Sequence, residues 1–183
     1  MNVPNMLTLF RILLVPIFVF FMLINENNSL YLTISLIIFI VASITDAIDG
    51  KIARKYNLVT NFGKFMDPLA DKILVMSALL CLLNLKLIDV VIVIIILSRE
   101  FLVTSLRLIA SSNGKVIAAN SLGKLKTISQ ILAIISCLIF KICPYNDILF
   151  YIYQWLFILC TIITIISGIV YLWKNKNFLR DIN

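Results

Sequence analysis

Four aspartates in one stretch of the chain have the chemistry and spacing of a metal-binding group. They are four of only nine acidic residues among 183, and they are Asp46, Asp49, Asp67 and Asp71. The chain has no histidine and its four cysteines form no CxxC pair, so a zinc site is not expected. Carboxylate oxygens suit a hard cation such as Mg²⁺ or Mn²⁺, and four of them suit two ions that grip a pyrophosphate.

Two neighbouring helices are needed to bring these aspartates together. Asp46 and Asp49 lie about 60° apart around a helix, whereas Asp67 and Asp71 are i,i+4 on one face. Asp46 and Asp49 lie about 24 and 28 Å from the far end of their apolar segment, and Asp71 and Asp67 lie about 22 and 28 Å from the far end of theirs. Both pairs are therefore predicted at one depth, with Pro68 tolerated in the first turn of its helix.

The composition of the chain requires a membrane around these helices. Apolar residues make up 62% and charged residues 14%, with a mean hydropathy of +1.07. A soluble domain is nearer half apolar and a quarter charged, so a soluble enzyme, a disulfide scaffold and a disordered tail are excluded. We expect an all-α polytopic membrane protein, a single domain over residues 1–183, with six transmembrane helices of about 20 residues each. The predicted spans are 7–24, 30–53, 67–86, 88–111, 125–142 and 149–173.

The basic residues predict the orientation of the helices. Six spans place both termini on one side of the membrane, and that side receives fourteen of the sixteen Lys and Arg residues, whereas the other has only Lys86 and Lys141. Because basic residues accumulate on the cytoplasmic side, both termini and the aspartates are predicted to face the cytoplasm. Residues 6–24 follow no basic residue and lack a small-residue cleavage site, so we expect a retained helix rather than a signal peptide.

The aspartates form part of a longer pattern. Gly50 and Ala53 share their face and would let a bulky ligand approach closely, and Arg54 could clamp a phosphate. Residues 46–71 resemble the signature of the CDP-alcohol phosphotransferase family, D-x2-D-G-x2-A-R-x8-G-x3-D-x3-D, at every fixed position. These positions are Asp46, Asp49, Gly50, Ala53, Arg54, Gly63, Asp67 and Asp71.

This resemblance implies a six-helix enzyme of the bacterial plasma membrane, forming a homodimer, with its active site facing the cytoplasm. It would transfer a phosphatidyl group from CDP-diacylglycerol to an alcohol and release CMP. Two Mg²⁺ or Mn²⁺ ions would neutralise the pyrophosphate, and Asp71 would be both a ligand and the general base. The resemblance assigns the metal to Asp46, Asp49, Asp67 and Asp71, and the CDP-lipid site to Asp46, Gly50, Ala53, Arg54 and Gly63.

The flanking helices bear on the lipid donor. Asn5, Thr8 and Arg11 follow i,i+3,i+6 spacing and would line one side of the first helix. Residues 2–18 resemble the phosphatidylglycerophosphate-forming branch of the family, so Asn5 and Thr8 are assigned to the CDP-lipid site. The alternative is a polar helix cap followed by an interfacial arginine.

Basic residues in the fourth and fifth spans bear on the acceptor. Arg99 lies about 16 Å deep in its span. Because a charged side chain at that depth is costly, it should face the bundle interior. Its segment, SREF…SLR, and the later segment GKLKT resemble the same family branch, which implies sn-glycerol 3-phosphate as the acceptor. The predicted phosphate-binding set is Arg99, Arg107, Lys124 and Lys126. Glu100 could instead pair with either arginine as a purely structural contact, and only one of the two lysines, i,i+2, should point inward.

Several alternatives remain open. Another family member would use inositol phosphate, serine or, for cardiolipin, phosphatidylglycerol as the acceptor. An acidic cluster in a membrane also suits a cation transporter or a polyprenyl transferase, although the first needs a polar path to the outer face and the second lacks the Gly50–Ala53–Arg54 spacing. A nucleic-acid partner is not expected, because the chain has no soluble basic module.

Overall fold

The computed structural model describes residues 3–55, 61–112, 121–143 and 146–176, with the side chains at 3–4, 47–55, 61–65, 67–68, 71 and 111–112 excepted. Within these ranges the regular structure is entirely α-helical, which confirms the predicted fold class and the six helices. The helices are α1 Val3–Leu23, α2 Ser29–Lys55, α3 Asn61–Asn84, α4 Val90–Ser112, α5 Ser121–Ile142 and α6 Asp147–Lys174.

The helices around the aspartates are longer than predicted. The sequence suggested a break around residues 54–66, but α2 continues to Lys55 and α3 begins at Asn61. Charged residues marked the break, yet long basic side chains extend from a helix to the membrane interface without ending it. The expected place of Pro68 in the first turn is also wrong, because it lies inside α3. Membrane helices tolerate an internal proline where neighbouring groups satisfy the freed carbonyl, and α1 likewise continues through Pro16.

Among the described residues, four helices are long and apolar enough to cross a membrane, judged by length and composition. The middle helices differ, because α3 offers only the shorter apolar run Lys72–Asn84 and α4 contains three charged residues, two of them near its middle. The four apolar spans are Asn5–Leu23, Ser29–Asp46, Ser121–Ile142 and Asp147–Lys174.

The helices pack as a bundle with one main apolar core. α1 packs on α2 and α3, α5 packs closely along α6, α2 reaches α5, and α4 rests mainly on α6. The rings of Phe18 and Phe39 meet at 5.9 Å between centroids at the α1–α2 contact. Large apolar side chains such as Trp155 and Ile169 face outward, as expected for surfaces that contact lipid.

A left-handed residue ends α3. Lys86 has φ 56°, and its N–H donates to the carbonyl of Leu83 at 2.9 Å, while the N–H of Leu87 donates to that of Leu82 at 3.0 Å. This pair of bonds is a Schellman motif, which satisfies the last carbonyls of α3 and turns the chain toward α4.

Three of the four cysteines are packing residues. Cys81, Cys137 and Cys160 are buried as free thiols among apolar side chains. Cys143 is also a free thiol, but it is exposed immediately after the end of α5.

Candidate functional site

The backbone places the signature on two helices that contact each other. Its first five fixed positions lie in α2 and its last three in α3. Asp46 is the only one of them whose side chain is described, so the predicted cluster of four carboxylates stays a prediction. The positions outside the described side chains are Asp49, Gly50, Ala53, Arg54, Gly63, Asp67 and Asp71.

Asp46 is held by an arginine from α1. The Arg11 side chain is fully buried, its Nη1 donates to Asp46 Oδ1 at 2.6 Å, and its Nε donates to the carbonyl of Ala42 at 3.2 Å. The Asp46 side chain retains 38% exposure, so its carboxylate is accessible to ligands. An accessible carboxylate fits the oxygen donor set that Mg²⁺ and Mn²⁺ prefer.

The polar side of α1 faces the bundle, as its spacing predicted. Asn5 and Thr8 are buried on the same side as Arg11. This burial places them on the α1 face that packs toward α2 and α3. Their assignment to the CDP-lipid site stays a prediction.

A second charged cluster joins α4 to α5. Glu100 Oε1 accepts from Arg99 Nη1 at 3.1 Å and from Lys126 Nζ at 2.5 Å. Lys126, only 2% exposed, also donates to Gln130 Oε1 one turn further along α5. Two cations thus share one carboxylate oxygen, and the three side chains together carry one net positive charge.

A third helix extends this cluster toward the signature. Lys72, which directly follows Asp71 in α3, donates through Nζ to Thr104 Oγ1, and Thr104 in turn donates to the carbonyl of Glu100 at 2.7 Å. A cavity of about 30 Å³, with room for about one water molecule, lies among these helices. It is lined by Lys72, Val75, Met76, Leu97, Glu100, Lys126, Thr127 and Gln130.

Arg99 lies in a passage between α5 and α6, with Gly123 and Gly168 beside its side chain. A Cβ at Gly168 would stand 3.2 Å from Arg99 Cγ, and one at Gly123 would stand 3.8 Å from Arg99 Nη2. The first distance is tighter than an ordinary contact and the second is ordinary. Gly168 therefore lets the Arg99 side chain pass along α6, and α6 thereby helps to define the position of the guanidinium.

The structure brings together only part of the predicted acceptor set. Arg99 and Lys126 meet at Glu100, which resolves the open pairing in favour of Arg99 rather than Arg107. Arg107 is exposed and lies over the ring of Tyr171 at 5.7 Å. Lys124 is exposed, whereas Lys126 is buried, which confirms that one lysine of the pair points inward.

Four residues of these clusters have roles that the sequence analysis missed. Arg11 was placed on the polar side of the first helix but given no partner, Lys72 was counted only as a topology signal, and Gln130 and Gly168 had no assigned role. Two signals were available: Arg11 continues the polar stripe of α1, and Gln130 stands i,i+4 from Lys126. The role of Gly168 left no local signal, because it depends on an arginine from a different helix.

Comparison with known proteins identifies the family of the chain. Residues 1–170 match the family model of CDP-alcohol phosphatidyltransferase. A CDP-diacylglycerol–glycerol-3-phosphate 3-phosphatidyltransferase of Bacillus subtilis is 43% identical over 192 aligned residues, covering 100% of this chain and 99% of that protein. Proteins of the same name are 42% identical in Rickettsia typhi, with 97% and 98% covered, and 36% identical in Haemophilus influenzae, with 98% and 96% covered. With the signature in place on α2 and α3, these matches show that the chain belongs to the CDP-alcohol phosphatidyltransferase family.

Proposed function

We propose that this protein transfers the phosphatidyl group of CDP-diacylglycerol to sn-glycerol 3-phosphate, giving phosphatidylglycerophosphate and CMP. The observation that carries the proposal is 36–43% identity, over nearly the whole chain, to bacterial enzymes named for this reaction. Relatives that align over nearly their full length support the same reaction more strongly than the shared signature does, because the signature is common to enzymes with other acceptors.

The cluster on α4 and α5 supports a phosphorylated acceptor. Arg99 and Lys126 are positively charged, and Glu100 neutralises only one of the two charges. A phosphate monoester carries close to two negative charges at neutral pH, so it gains more from such a cluster than serine would. We therefore assign the acceptor phosphate to Arg99 and Lys126, with Arg107 and Lys124 at the entrance.

The signature aspartates would carry the chemistry beside this cluster. Asp71 would accept the proton of the acceptor hydroxyl while the oxygen of that hydroxyl bonds to the phosphorus next to the lipid. The bond from that phosphorus to the oxygen of the CMP phosphate breaks, and CMP leaves with the electron pair. Two Mg²⁺ or Mn²⁺ ions, held by Asp46, Asp49, Asp67 and Asp71, would supply charge neutralisation of the pyrophosphate when bound.

The setting of the enzyme is part of the proposal. The named relatives are bacterial, and four helices are apolar enough to span a membrane, which supports a multi-pass protein of the bacterial cell membrane. The excess of basic residues on one side supports an active site that faces the cytoplasm. The homodimer rests on the family resemblance alone.

One assay tests the reaction and its acceptor together. Purified full-length protein in detergent is incubated with CDP-diacylglycerol, Mg²⁺ and labelled glycerol 3-phosphate, and both CMP and labelled lipid are measured. Serine, inositol phosphate and phosphatidylglycerol are offered in parallel. We expect CMP release that depends on glycerol 3-phosphate, with one molecule of anionic phospholipid formed for each CMP released. Turnover with another acceptor but none with glycerol 3-phosphate would overturn the acceptor assignment and keep the family reaction.

A further inference from the structure

The Arg11 side chain contacts two successive points on one helical turn of α2. Its Nη1 binds the carboxylate of Asp46, and its Nε binds the carbonyl of Ala42. In an α-helix that carbonyl is the acceptor for the backbone N–H four residues later, which is the N–H of Asp46 itself. The planar guanidinium of Arg11 therefore holds the turn that ends at Asp46 through both its backbone and its side chain.

Packing alone does not account for this contact. A fully buried arginine in an apolar helix is costly, and an apolar pair of similar volume would join two helices at least as well. The α1–α2 contact already includes the paired rings of Phe18 and Phe39 further along the helices. A charged pair at the Asp46 level therefore points to a role for the position of the carboxylate.

Electrostatics alone predicts that Arg11 weakens metal binding at Asp46. The guanidinium is always positive, so it repels a divalent cation that binds Asp46. A benefit must then come from geometry, since a carboxylate already fixed in one orientation loses less conformational freedom when it binds a cation. The two effects make opposite predictions for metal affinity when Arg11 is removed.

We propose that Arg11 is a positioning residue, which orients the Asp46 carboxylate from α1 for divalent-cation binding. This inference rests on the proposed function, because that function is what assigns Asp46 to a metal. The role belongs to α1, outside the signature of residues 46–71. It gives the first helix a part in the metal site in addition to the CDP-lipid contacts predicted for Asn5 and Thr8.

The test measures Mn²⁺ binding without any substrate. Full-length protein in detergent is titrated with Mn²⁺, and free Mn²⁺ is followed by electron paramagnetic resonance for the unaltered chain, Arg11→Lys and Arg11→Gln. Lys141→Gln, which removes one positive charge at the other end of the bundle, is the matched control. We expect roughly tenfold weaker Mn²⁺ binding in both Arg11 variants, the usual cost of losing a partner of a metal ligand, and no change in the control.

Metal-free unfolding separates positioning from general damage. We expect Asp46→Asn to lower the unfolding midpoint because it removes the Asp46 carboxylate from buried Arg11, and Arg11→Gln/Asp46→Asn to recover part of that loss. Arg11→Lys keeps the positive charge. Weaker Mn²⁺ binding in this variant, if it still folds, would therefore come from the lost orientation of the Asp46 carboxylate and not from a change in charge. Unchanged or tighter Mn²⁺ binding in the Arg11 variants would overturn the inference, as would no Mn²⁺ binding by the unaltered chain. Failure of the transferase assay with this Mn²⁺ pattern intact would instead reject only the proposed reaction.

Discussion

Gly168→Ala should reduce the use of the acceptor without reducing stability. The added Cβ would stand 3.2 Å from Arg99 Cγ, so the arginine must move by a few tenths of an ångström. Four bonds separate Cγ from the terminal nitrogens, and this leverage enlarges the shift to about 1 Å at the guanidinium. A displacement of about 1 Å costs up to about 100-fold in rate. We therefore expect a loss of about tenfold in kcat/KM for glycerol 3-phosphate.

Stability should respond differently, because two effects nearly cancel. Alanine is favoured over glycine in a helix by about 1 kcal/mol. Mild overpacking against Arg99 costs about 1 kcal/mol, so the unfolding midpoint should stay close to that of the unaltered chain. An activity loss at constant stability distinguishes a displaced guanidinium from a damaged fold.

Steady-state kinetics with each substrate varied in turn will measure the effect of Gly168→Ala. The loss should fall on glycerol 3-phosphate and leave the KM for CDP-diacylglycerol nearly unchanged. Gly123→Ala is the matched control, because its Cβ would stand at an ordinary 3.8 Å from Arg99 Nη2. Its loss should be clearly smaller. Unaltered acceptor kinetics in Gly168→Ala, or an equal loss for both substrates, would refute the role of this passage.

Three other substitutions and one control test the two clusters. Glu100→Gln should lower the KM for glycerol 3-phosphate, because Arg99 and Lys126 lose the carboxylate that neutralises one of their charges. It should also lower the free energy of unfolding by about 2 kcal/mol, because buried Lys126 would keep only neutral acceptors. Glu26→Gln, in the exposed turn after α1, should change neither quantity, and identical denaturation curves for the two variants would contradict the reasoning. Arg107→Ala should raise the KM for glycerol 3-phosphate far more than that for the donor, and equal effects would remove Arg107 from the acceptor entrance. Asp71→Asn should fold and bind CDP-diacylglycerol but lose turnover, so near-normal rates would assign the base to another group.

The helices could be predicted because a membrane makes their signal strong. Every apolar run of about 20 residues became a helix, and the errors were confined to the ends. The largest of those errors lie at the facing ends of α2 and α3, where charged residues and Pro68 resemble a loop in sequence but residues 54–55 and 61–68 are helical. The position of Pro68 inside α3 is the clearest example.

The site was predictable only where its residues are close in sequence. The spacing from Asp46 to Asp71 carries the signature within one helix pair, so a linear pattern reveals it. The partners of Glu100 depend on how α4 meets α5, and the passage for Arg99 depends on α6. Sequence spacing gives the face of a helix but not the helix that covers it, so contacts between distant helices required the structure.

The exposed thiol of Cys143 allows the orientation of the chain in the membrane to be measured without any substitution. It follows α5 at the end predicted to lie outside the cytoplasm, and the other three cysteines are buried. A membrane-impermeant maleimide added to intact spheroplasts should therefore modify one thiol per chain, and Cys143→Ser should abolish that labelling. Labelling only after the membrane is opened would reverse the predicted topology. The same thiol offers a single attachment point for a fluorophore or spin label, distant in the bundle from the chemistry.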